Sequence, residues 1–142
     1  VDAGPDFRDQ ALRHKVNRLN GLILTHAHQD HVGGIDDLRI YIIKQKEPIP
    51  LLASKSTIKD LQSRFKYMFD DTGQGVVTKF EVEELKGDFG ETTFLGEKIR
   101  YFTYGQMGTK VNGFRVKDFA YVTDIHEYEE AIFSELKGLK TL

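Results

Sequence analysis

Cysteine is absent from all 142 residues. That excludes disulfides, thiolate metal sites and a cysteine nucleophile. It is compatible with a reducing compartment, and the cytoplasm is the expected setting. No apolar run approaches the ~18 residues that a membrane span needs, so no membrane partner is expected. An excess of either charge is also missing: 20 Lys and Arg against 22 Asp and Glu leave a formal net charge of -2. Nucleic-acid binders carry a basic footprint, so nucleic acid is not an expected partner, while a small anion held through metal stays open. Signal-peptide character and an initiator Met are both lacking at Val1-Asp2-Ala3-Gly4-Pro5. Leu139-Lys140-Thr141-Leu142 restarts an apolar pattern after a helix stop, so both ends read as cut from a longer chain. What is present, 39% hydrophobic and 30% charged residues, fits one globular domain over 1–142 with a sizeable core.

The chemistry concentrates in His26-Ala27-His28-Gln29-Asp30-His31, where four of six side chains are good ligands for a divalent cation. The stretch follows the apolar run Leu22-Ile23-Leu24-Thr25, which reads as a buried strand, and precedes Gly33-Gly34. At a strand end such side chains can converge. His26 and His28 can offer imidazoles to one cation, and Asp30 and His31 can turn toward a second. Imidazole with carboxylate suits zinc, manganese, nickel or iron, and the donor set does not choose among them; one or two ions are expected, with zinc the first candidate. The glycine pair lets backbone pass close to such a site.

Around this centre the pattern alternates between helix and strand. Asp6 can cap a helix holding Phe7, Ala11 and Leu12. A second helix carries Ile35, Leu38 and Ile42, and Pro48 and Pro50 exclude its continuation. Leu51-Leu52-Ala53 reads as a strand. Ser54 or Ser56 can cap a helix striped by Ile58, Leu61, Phe65 and Met68, which Gly73-Gln74-Gly75 breaks. From Val76 the period becomes two, with Phe80 and Val82 alternating against Lys79 and Glu81. Two hairpins are expected, one about Gly96-Glu97 and one about Lys117-Asp118. Asp124 ends the last strand, and Glu127 to Leu136 reads as a helix stopped by Gly138.

Thr25-His26-Ala27-His28-Gln29-Asp30-His31-Val32-Gly33-Gly34 resembles the signature of the metallo-β-lactamase superfamily. Asp2-Ala3-Gly4 resembles that family's first motif, and Tyr121-Val122-Thr123-Asp124 its bridging-aspartate motif. The resemblance implies an α/β (α+β) fold, the four-layer αββα sandwich, here truncated at both ends. It implies His26 and His28 on a first metal, Asp30 and His31 on a second, and Asp124 bridging both. Asp2 would orient the signature loop from a buried position without being a ligand. His28 separates the chain from the flavo-diiron branch, which has a carboxylate there.

Asp2 to Arg8, Gly34 to Arg39, and Gly113-Phe114-Arg115 resemble the phosphoribosyl cyclic phosphodiesterase branch. Arg8 and Arg39 read either as ion-pair residues or as groups near a substrate phosphate. The implied activity is a metallo-hydrolase, a phosphodiesterase acting on a small phosphodiester. A metal-bridged hydroxide would attack phosphorus, with Asp30 as its catalytic positioning group. Alternatives are hydrolysis of a thioester, lactone or β-lactam, trimming of transfer RNA precursors, and a non-catalytic scaffold. A homodimer is left open.

One family ligand departs from the pattern. The family's further histidine for the first metal would fall near Thr103-Tyr104-Gly105, but no His occurs between Val32 and Ile125, and Tyr104 stands at that place. The last family histidine would lie beyond Leu142. His126 and His14 read as surface residues.

Overall fold

The computed structural model describes residues 1–69 and 79–142, and it divides into two units, Val1–Glu84 and Leu85–Leu142.

The first unit runs α1 (Phe7–Arg13), β1 (Leu22–Ile23), α2 (Gln29–Val32), a 3₁₀ turn (Ile35–Leu38), α3 (Arg39–Gln45), β2 (Ile49–Ser54), α4 (Lys55–Arg64) and β3 (Phe80–Leu85). Its sheet has the order β1-β2-β3. β1 and β2 are parallel, with Leu22 opposite Leu51 and Ile23 opposite Leu52. Parallel strands are buried on both faces and so are apolar throughout, which is why Leu22 to Leu24 lack alternation. Leu24, Leu51, Ile35, Leu38, Ile42 and Leu61 form the heart of this core and are almost wholly shielded from solvent. Ser54 caps α4 as expected, its Oγ accepting from the Thr57 amide.

Several expectations need correction here. Asp6 precedes α1 but makes no side-chain cap, and the Phe7 amide instead donates to the Gly4 carbonyl at 3.0 Å. The expected second helix is split into the 3₁₀ turn and α3, though Ile35, Leu38 and Ile42 are all buried. α4 ends at Arg64, and Met68 sits on a separate 3₁₀ turn, Lys66–Met68. On β3, Phe80 and Leu85 are buried while Val82 is exposed. The break at Gly73-Gln74-Gly75 and the start of the new period at Val76 lie outside the described residues.

The second unit holds an antiparallel sheet of order β4-β5-β6-β7: β4 (Phe89–Phe94), β5 (Glu97–Gln106), β6 (Thr109–Val116) and β7 (Phe119–Tyr121). Phe102, Tyr104, Val111 and Ile132 cluster on one another, the last from the short helix α5 (Ile132–Leu136). The Lys117-Asp118 hairpin is present, with Val116 opposite Phe119. The other expected turn is Leu95-Gly96, one residue earlier than read, because Phe94 pairs with Glu97. Met107-Gly108 makes a further hairpin with Gln106 opposite Thr109.

The expected helix from Glu127 is shortened to α5 for a definite reason. Gly105 and Glu127 exchange backbone hydrogen bonds at 2.6 and 2.9 Å, so Glu127 extends the sheet instead of opening a helix. No described helix is long and apolar enough to cross a membrane.

Candidate metal centre

The amide of Leu24 donates to Leu52 at 3.0 Å, which carries the β1–β2 ladder one residue past Ile23. The chain then delivers Thr25 and His26, both fully buried, at the strand's C-terminal end. His28 has an extended backbone and is the last residue before α2, whose single turn contains Asp30 and His31. That helical turn was not foreseen, since four residues are too few to show a period. The ring of His26 lies 4.5 Å from that of His28 and 4.2 Å from that of His31. Ligand atoms of His26 and His31 lie within 4.8 Å of each other.

Asp2 organises two of these imidazoles. Its carboxylate is nearly buried, with its side chain 8% exposed. Oδ1 accepts from the Thr25 amide at 2.9 Å. Oδ2 accepts the Thr25 hydroxyl at 2.9 Å and meets His31 Nδ1 at 2.8 Å. A carboxylate can only accept, so His31 donates from Nδ1 and keeps Nε2 as the nitrogen able to bind a cation. Thr25 gives its one hydroxyl hydrogen to Asp2, so its oxygen accepts from His26 Nδ1 at 3.0 Å. His26 therefore also presents Nε2. This is the donor set a divalent cation takes from imidazole, with each ring oriented by a hydrogen bond behind it.

Asp2 pays for its place with a left-handed backbone, φ 55°, a conformation that Asp tolerates better than most residues. Its amide donates to Ile23, Ala3 donates to the His31 carbonyl, and Gly34 donates to Ala3, each at 2.8 Å. The first motif is thereby laced to both sides of the signature.

Asp30 is exposed, with Oδ2 3.4 Å from His31 Nε2. Asp124 follows β7 in the second unit, is partly buried, and has φ 55°. His126 and His14 are exposed, as read.

Tyr104, which the resemblance sets at the family's further histidine, is buried and tied off. Its hydroxyl donates to the Thr123 carbonyl at 2.6 Å and accepts from the Thr123 amide at 3.0 Å. It straps the residue that precedes Asp124. Tyr104→Phe is expected to lower stability by about 1–3 kcal/mol, because it strips both groups of Thr123 of a partner. Urea unfolding measures this, and a change below about 0.5 kcal/mol would mean that the strap carries no load.

Arg8 and Arg39 are held in ion pairs, with Asp37 at 3.9 Å and Asp36 at 3.6 Å. Asp36 also accepts the Tyr67 hydroxyl at 2.7 Å. Burial, then that hydrogen bond, pushes the Tyr67 phenol up to about 12, so it stays a donor at neutral pH. The guanidinium that reaches the signature is instead Arg64, which sequence reading missed. It donates to the Ala27 carbonyl and to Gln29 Oε1. Contacts separated by more than thirty residues leave no local pattern to read.

The family model described as a beta-lactamase superfamily domain matches residues 1–142. The chain belongs to that superfamily. Its members are generally hydrolases, and its metallo-β-lactamase fold implies a divalent metal, which the His26 and His31 arrangement fits. A diphosphatase of the PhnP family is 29% identical with a TM-score of 0.83, covering 97% of this chain and 51% of that one. The short form of human tRNase Z has a TM-score of 0.71 at 17% identity, covering 95% of this chain and 61% of that one, a likeness of fold alone. An octanoyltransferase from Porphyromonas gingivalis is 28% identical over 144 residues, which span 100% of this superfamily chain but 28% of that protein. The chain thus corresponds to about half of the diphosphatase and to little more than a quarter of the octanoyltransferase.

Proposed function

We propose that this superfamily domain is a metal-dependent phosphodiesterase acting on a small phosphodiester. The observation that carries the reading is that Asp2 and Thr25 engage Nδ1 of His31 and of His26, which keeps Nε2 of each ring as the nitrogen able to bind a cation. The phosphorus preference is supported by the 29% identity to the diphosphatase.

His26, His28, Asp30 and His31 would hold the metal, zinc first, and Asp124 is the further ligand that the family resemblance implies. When bound, a divalent cation supplies Lewis acidity toward water and toward a phosphoryl oxygen. The exposed Asp30 carboxylate orients the attacking water and can take its proton at Oδ2. Asp2 and Thr25 hold the His31 and His26 protons on Nδ1 throughout. With no cysteine in the chain, and Tyr104 Oη bound at both its donor and acceptor sides to Thr123, attack by water without a covalent intermediate is the simplest course. Tyr104 contributes no imidazole, which leaves the first position with His26 and His28.

A second reading, attack on a thioester or other carboxylic ester at the same centre, is favoured by the match of the whole chain to the octanoyltransferase. Chelator-treated protein reloaded with zinc or manganese, assayed on bis(p-nitrophenyl) phosphate and on a thioester panel, separates the two. The expected result is turnover of the phosphodiester that falls at least about 100-fold on metal removal and returns on reloading. Hydrolysis of thioesters alone would establish the second reading. No turnover of either by metal-loaded protein would make the domain a scaffold.

A further inference from the structure

We propose that Arg64 is a positioning residue for His28, and so sets how tightly the centre holds a cation; this rests on the metal-binding reading above.

The three signature imidazoles differ in burial. His26 and His31 are buried and tied through Nδ1 to Thr25 and Asp2. His28 is exposed and lies, with an extended backbone, on the stretch between the end of β1 and the first turn of α2. Arg64 grips that stretch on both sides of His28. One guanidinium nitrogen, Nη2, donates to the carbonyl of Ala27, the residue before it. The other, Nη1, donates to Oε1 of Gln29, the residue after it, at 3.4 Å.

The guanidinium is itself aimed. Its Nε donates to Asp60, one turn earlier on α4, and its carbon lies 5.8 Å from the centre of the Phe65 ring. Only about a third of the side chain meets solvent. A planar fork engaged at Nε, Nη1 and Nη2 transmits the position of α4 to the loop, and a lysine ammonium cannot reproduce the three directions. Hydrogen bonds behind a metal's ligands commonly change affinity by 10–100-fold when lost.

Cobalt(II) titration of the metal-free protein, read by its visible d–d bands, tests this in wild type, Arg64→Ala, Arg64→Lys and Gln29→Ala. Circular dichroism of each metal-free variant checks the fold. Arg64→Ala is expected to weaken cobalt binding roughly tenfold or more and to alter the bands. Arg64→Lys should recover only part of that loss, and Gln29→Ala should cost a few-fold.

Wild-type affinity within about twofold and unchanged bands in Arg64→Ala would overturn the proposal. So would full recovery by Arg64→Lys. Should Arg64→Ala not fold, Gln29→Ala decides, and wild-type behaviour there overturns it. A wild type that takes up no cobalt removes the metal reading itself. Normal uptake by wild type and variants alike removes only the role of Arg64.

Discussion

Asp2→Asn is expected to weaken divalent-cation binding by roughly 10–100-fold while leaving the fold largely in place. The substitution keeps size and shape, and Asn accepts a left-handed backbone at least as readily as Asp, so the φ of 55° at this position adds little strain. What changes is the direction of a hydrogen-bond chain. Asp2 accepts from the Thr25 amide, the Thr25 hydroxyl and His31 Nδ1. The amide of Asn has one accepting oxygen and one donating nitrogen.

With the oxygen kept on the Thr25 amide, the nitrogen faces the Thr25 hydroxyl and His31 Nδ1. His31 must then accept at Nδ1 and carry its proton on Nε2. The Thr25 hydroxyl loses its acceptor and turns its hydrogen to His26 Nδ1, which moves the His26 proton to Nε2 as well. Both lone pairs that would hold a cation are replaced by N–H groups. Nitrogen-15 NMR of the metal-free protein reads the tautomers directly, and calorimetry reads the affinity. Retention of Nδ1–H at both rings in the variant would show that Asp2 does not set them.

The parts of the centre that were legible in the sequence are those whose chemistry is local. His26, His28, Asp30 and His31 announce themselves by residue type within one loop. The apolar run before them marks a buried strand, and Lys117-Asp118 marks a turn. The connections that make the centre work are not local. Asp2 meets His31 from 29 positions away, and Arg64 meets Ala27 from 37. The resemblance supplied Asp2, but nothing in the chain pointed to Arg64.

Hairpins show the same limit. The Met107-Gly108 turn has φ of 47° and 80° at its central residues, as a two-residue connection requires, but a methionine in that conformation conceals the signal. At Tyr104 the sequence offers a phenol where the resemblance implies an imidazole. That its hydroxyl straps Thr123 depends on how β5 and the residues after β7 come together, which periodicity does not encode.

Gly34→Ala is expected to cost about 3 kcal/mol or more of stability, above the usual 1–3 kcal/mol of core overpacking, and to abolish tight cation binding with it. The reason is contact, not conformation, since Gly34 has φ -94° and ψ 6°, open to any residue. A Cβ there would lie 2.3 Å from the Gly4 carbonyl oxygen, 2.8 Å from Phe7 Cβ and 3.2 Å from the Ala3 carbonyl oxygen. Two of these three obstacles are backbone and cannot swing aside. The first motif is pressed on the signature at a second point as well, since a Cβ on Gly4 would lie 2.4 Å from the Asp30 carbonyl oxygen. Any relief must pull Asp2-Ala3-Gly4 off the loop, breaking the 2.8 Å bond from Gly34 to Ala3 and moving the carboxylate that orients His31.

Gly96→Ala is the control. It sits at φ 82° with nothing within 4 Å of a new Cβ, so it bears only the roughly 1–2 kcal/mol of a left-handed residue and should leave cation affinity unchanged. Urea midpoints and cobalt titrations of the two variants give the comparison. A Gly34→Ala protein as stable as Gly96→Ala, with its cation affinity intact, would mean that the two motifs can part without consequence and do not interlock.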